Sequence, residues 1–175
     1  MSKRHQPISW VKYMDIHETA MDRFHKDGIV INDSLTWNLS EFPVVILSGQ
    51  IELRGGLILE VLKSLIVTNH TKKSRGQIQS QDYSYNLRRK GKKNSAIFRY
   101  DSWHVHAKKG HEERFHKHVF DINGKETEII EFKLKDWPEL SRVIDEANQY
   151  YLDHLAPKVT GPASRAKRKK RSSVK

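Results

Sequence analysis

The chain has 175 residues, 37% of them hydrophobic and 30% charged, enough for one modest core with polar extensions beyond it. It has no cysteine, which excludes disulfides, thiol catalysis and thiolate-bound metals. No apolar run is long enough to cross a bilayer, and the first residues, Met1 to Gln6, lack the apolar stretch of a signal peptide, so a cytoplasmic protein with no membrane partner is expected. The net charge is +11, and seven of the positive charges lie in Ser164–Lys175, which has no acid, leaving +4 on the rest. Such a polycation, with Lys167, Arg168, Lys169, Lys170 and Arg171 at its centre, binds phosphate backbones by counterion release, without sequence preference.

Residues 1–14 read as a loosely ordered arm from which Trp10 and Tyr13 can pack on the body. A single domain is expected over 15–157 and a disordered basic tail over 158–175. The first helix is expected over Ile16–Lys26, capped by Asp15 and Glu18 and stopped at Gly28. Strands follow at Pro43–Leu47, Ile51–Leu53 and Leu57–Val67, turning at Arg54-Gly55-Gly56. The polar stretch Asn69–Ser80 reads as a loop. Tyr83–Leu87 and Ala96–Tyr100 are expected strands joined by a basic tip, with Arg88, Arg89, Lys90, Lys92 and Lys93 as phosphate contacts. Val119–Ile122 and Thr127–Phe132 form a hairpin through Asn123-Gly124, with Asp121 serving the turn. The last helix is expected from Trp137 to Leu155, with Asp136 and Glu139 able to cap it. The expected fold is therefore α+β: a mostly antiparallel twisted sheet with an N-terminal and a C-terminal helix packed on it.

Five of the ten histidines fall between His104 and His118. On a strand, His-x-His puts both rings on one face, and the chain has this spacing at His104/His106 and at His116/His118. Three uses follow. One is metal-free RNA cleavage, in which two imidazoles exchange protons with the 2′-hydroxyl and the leaving oxygen. There Arg99, Lys117 or Arg114 stabilises the developing charge and Asp101 orients a histidine. The second is a metal site of imidazoles with Asp101 as carboxylate ligand. The third is binding or structure without chemistry. Trp103, Tyr83 and Tyr85 are candidates for stacking on bases, against a competing reading as core.

Tyr83-Ser84-Tyr85-Asn86, Phe98-Arg99-Tyr100-Asp101 with His104 and His106, and His116-Lys117-His118 together resemble the TumE-type toxins of prokaryotic toxin–antitoxin pairs, in order and residue type, over roughly 50–151. Members of that family are usually shorter, so the first 45 or so residues and the basic tail are extra here. The resemblance implies a toxin neutralised by a helix-turn-helix antitoxin, and toxins of this size are commonly ribonucleases. The expected function is therefore an endoribonuclease toxin acting on RNA by histidine acid–base catalysis, without a cofactor. The alternatives are a non-catalytic nucleic-acid-binding protein, such as a subunit of a larger defence complex, and a metal-dependent nuclease.

Overall fold

The computed structural model describes residues 8–71, 74–91, 95–102, 115–133, 136 and 138–157. The first helix, α1, runs Trp10–Lys26, so it starts earlier than the apolar spacing from Ile16 suggests. Ser9 is its N-cap and accepts a hydrogen bond from the Lys12 backbone N–H at 3.3 Å, satisfying a donor that the helix itself leaves open. Asp15 lies inside the helix, so the expected cap at Asp15 and Glu18 does not form, and residues 10–14 are helical rather than a loose arm. Trp10 and Tyr13 do pack on the body: both meet Trp37, with ring centroids 5.3 and 6.2 Å away. The helix ends at Asp27, and Gly28 follows with φ 63°, a left-handed turn that glycine adopts without penalty.

Eight described strands form one antiparallel sheet: β1 (Val30–Asp33), β2 (Thr36–Asn38), β3 (Val44–Leu53), β4 (Leu57–Thr71), β5 (Ser74–Arg89), β6 (Ala96–Asp101), β7 (Phe115–Phe120) and β8 (Glu126–Phe132). From β3 onward each strand pairs with the next, while β1 and β2 both pair with β3. The α+β reading holds. The loop expected at Asn69–Ser80 does not: β4 and β5 extend through it to Thr71 and from Ser74, paired as far as Thr71↔Ser74. The backbone ladder runs through this stretch, and Ile78 packs on the small cluster of Val45, Leu65 and Val67.

The second helix, α2, runs Leu140–His154, shorter at its start than expected, and the Glu139 side chain makes no cap hydrogen bond. One sheet face carries Leu47, Ile51, Leu59, Val61, Tyr85 and Leu87, and against them pack Met21 and Phe24 of α1 and Val143, Ile144 and Ala147 of α2. Each large apolar side chain taken fully out of water there contributes about 1.5–3 kcal/mol. Both helices thus sit on one face, which leaves the other face of the sheet without a described helix.

The β3–β4 turn docks the end of α2. Gly55 has φ 74°, and a Cβ on it would lie 2.3 Å from the Tyr151 ring; Gly56, at φ 69°, faces open space. Gly55→Ala is therefore expected to cost about 2–4 kcal/mol, combining left-handed strain and overpacking, and Gly56→Ala about 1–2 kcal/mol from strain alone. Urea denaturation of the two variants measures the difference, and equal costs would mean that the Tyr151 contact is immaterial.

Candidate functional site

The strand registers decide which side chains share a face. Ser84 pairs with Asp101, Asp101 with His116, Asn86 with Arg99, and Arg99 with His118. Directly opposed residues point the same way, so Ser84, Arg99, Asp101, His116 and His118 converge on the face opposite the helices. His116 and His118 are 1% and 2% exposed and Asp101 is 7% exposed, unusual burial for such groups.

Asp101 is the hub. One carboxylate oxygen accepts a hydrogen bond from the Ser84 hydroxyl at 2.9 Å, and the other pairs with the Arg99 guanidinium. His118 Nε2 lies 3.7 Å from that second oxygen. On the far side of the ring, His118 Nδ1 meets a Glu126 carboxylate oxygen at 2.5 Å. The His116 and His118 rings stand edge to face with centroids 4.9 Å apart. Burial pushes the His118 pKa down, opposed by the hydrogen bond to the Glu126 carboxylate, and the net shift is downward. One ligand atom each from Asp101, His116 and His118 falls within 4.8 Å of the others.

The sequence placed His116, His118, Arg99 and Asp101 in one site, and they do meet. It missed Glu126. The expectation for Lys117 is corrected: it lies on the helix-facing side, paired with Glu146 of α2 and stacked over the Phe98 and Tyr100 rings at 4.9 and 5.3 Å. The period of two that unites the histidines sends the residue between them to the other face. The stacking role expected of Tyr83 and Tyr85 is corrected too. They are 3% and 0% exposed within the core, stacked on each other, and have no face open to a base. Of the basic tip, Arg88 pairs with Glu60 at 2.9 Å, Arg89 donates to the Tyr150 hydroxyl at 3.0 Å, and Lys90 pairs with Glu52 at 2.6 Å. His104, His106, Trp103, Arg114, Lys92, Lys93, Lys167, Arg168, Lys169, Lys170 and Arg171 lie outside the described residues.

Comparison of the chain with protein-family models, with curated proteins and with solved structures finds no match. No described helix is long and apolar enough to cross a membrane.

The helix side holds a second ionisable feature. Lys63, on β4, is 0% exposed and donates to the Glu139 carboxylate at 2.9 Å, just before α2 begins. Burial opposes its charge, but Tyr85, Tyr13 and Glu139 together outweigh burial and hold the ammonium protonated above its ordinary range. A cavity of about 280 Å³ lies alongside, between α1 and α2, bordered by Tyr13, His17, Met21, Glu139 and Ile144.

Proposed function

We propose that the protein is an endoribonuclease, the toxin member of a toxin–antitoxin pair, and that Arg99, Asp101, His116 and His118 form its reaction centre. The observation that carries this reading is their convergence across β6 and β7 on the face opposite the two helices. Phosphodiester cleavage needs a positive group beside the phosphate and groups that handle protons or activate water. Arg99 supplies the first and the imidazole–carboxylate cluster the second. The net charge of +11 supports a polyanionic substrate, because a basic chain gains affinity from each counterion it releases. The partner proposed on the resemblance is a helix-turn-helix antitoxin that silences this centre until it is removed.

Incubation of the purified full-length chain with end-labelled RNA, alone and with translating ribosomes, tests the reading. Discrete cleavage products are expected. Binding without cleavage in either condition would leave a non-catalytic nucleic-acid-binding protein.

A further inference from the structure

We infer that Asp101, His116 and His118 are the protein ligands of a single divalent transition-metal ion. The binding of the ion is independent of the substrate, and its catalytic use rests on the RNA-cleavage reading above. Three observations support it.

The first is geometry. Zinc and its neighbours take imidazole nitrogen and carboxylate oxygen at about 2.0–2.2 Å, which separates tetrahedral ligands by about 3.3–3.5 Å. His118 Nε2 and the Asp101 oxygen are already 3.7 Å apart, and the whole set lies within 4.8 Å. Small side-chain torsions close that gap around an ion. The second is the partner on the far side of the ring. A histidine that binds metal through one nitrogen almost always has the other held by a carboxylate, carbonyl or water, which fixes its tautomer. Glu126 holds Nδ1 of His118 and leaves Nε2 aimed at Asp101. Ser84 and Arg99 fix the Asp101 carboxylate in the same way.

The third is charge. Around the two imidazoles stand two carboxylates, Asp101 and Glu126, and one guanidinium, Arg99. A divalent ion adds two positive charges to that set. The centre then attracts a phosphodiester, and the positions that three protein ligands leave open are available to water or to a phosphate oxygen. Two nitrogens and one oxygen, with no thiolate, suit Zn²⁺, Mn²⁺, Co²⁺ or Ni²⁺ better than Mg²⁺ or Ca²⁺, which prefer all-oxygen sites.

The test uses the full-length chain, stripped with chelator and titrated with Zn²⁺ by calorimetry and with Co²⁺ by visible absorption. One ion per chain is expected at this site, with a Co²⁺ spectrum typical of mixed nitrogen and oxygen ligands and a rise in Tm with metal concentration. His118→Ala and Asp101→Asn should abolish that binding. Glu126→Gln, which keeps the shape and loses the charge, should weaken it on the order of 10–100-fold. His25→Ala, which removes a histidine paired with Asp33 far from the cluster, should leave it unchanged. If a cluster variant fails to fold, the Glu126→Gln titration and the wild-type Co²⁺ spectrum still decide. Equal affinity in wild type and Glu126→Gln, or no binding at micromolar Zn²⁺ and Co²⁺, overturns the inference. Undiminished RNA cleavage in excess chelator would remove the metal's catalytic use and leave the ribonuclease reading standing. Tight metal binding with no cleavage would do the reverse.

Discussion

Replacing His118 with alanine is expected to slow RNA cleavage on the order of 10²–10⁴-fold while leaving RNA affinity within a few-fold. The asymmetry follows from where the groups sit. Affinity for a polyanion is distributed over many lysines and arginines, whereas the chemistry depends on the few groups that converge on Asp101. His118 is the best connected of these, held by Glu126 at one nitrogen and facing Asp101 with the other. Glu126→Gln keeps a hydrogen-bonding group at Nδ1 but not the charge, so a smaller loss, on the order of 10–100-fold, is expected. Lys117→Ala supplies the control that a reading of His116-Lys117-His118 as one motif would get wrong. Its ammonium lies on the helix side with Glu146, so the variant should lose some stability and retain the cleavage rate per folded molecule. Single-turnover cleavage and equilibrium RNA binding, normalised to the folded fraction, separate these outcomes. If cleavage and binding fell in parallel in His118→Ala, the cluster would be part of the RNA-binding surface and not the reaction centre.

The contrast between Lys117 and His118 shows how far the sequence could be read. Period-two alternation was enough to pair His116 with His118, and applied consistently it would also have turned Lys117 away. The same rule puts Tyr83 and Tyr85 on the face of Leu87, which is the core face. Arg99 and Asp101 were both placed at the site from the sequence, but with separate roles, and their ion pair follows from β6 running on to Asp101, one residue beyond the expected strand. Glu126 was not placed there. It reaches His118 across the β7–β8 hairpin, whose register shifts by a bulge between Val119 and Phe120, and no local pattern announces a bulge. Asp121, in contrast, serves the turn as its neighbours imply: its side chain accepts from the backbone N–H groups of Asn123 and Lys125 at 2.8 and 2.9 Å. The start of α1 was legible in retrospect, since Trp10, Tyr13 and His17 recur at helical spacing and gather around Trp37. The end of the β4–β5 ladder was not legible, because residues such as Thr68, Asn69 and Gln77 carry no apolar alternation and the backbone pairing reveals the strands.

The buried ion pair on the helix side gives the largest expected stability effects, and their order matters more than any single value. Lys63→Ala removes a long side chain from a fully buried position and should cost about 2–5 kcal/mol, as a core truncation does. Lys63→Met keeps the stem and discards the charge. A buried ion pair recovers little of its desolvation cost, so this variant should stay within about 1.5 kcal/mol of the native protein, in either direction. Glu139→Gln is the opposite case: it leaves the Lys63 ammonium charged and buried beside neutral phenols. The cost should reach about 1–3 kcal/mol, kept at that level because the Glu139 side chain is 57% exposed and water screens the pair. In Lys63→Met, the further change Glu139→Gln should then cost almost nothing, and urea denaturation of the four proteins measures that coupling directly. The pH dependence has a definite sign. Lys63, Tyr83, Tyr85 and Tyr100 all have pKa values raised by the fold, the tyrosines chiefly by burial. A group whose folded pKa is raised contributes stability in full below its unfolded pKa, about 10 for both residue types, and loses it as pH rises toward the folded value. Stability should therefore fall above about pH 10, and less steeply in Lys63→Met, where one titrating group is gone. Equal costs for Lys63→Met and Glu139→Gln, with identical alkaline limbs, would mean that the ammonium is not held buried against Tyr13, Tyr85 and Glu139.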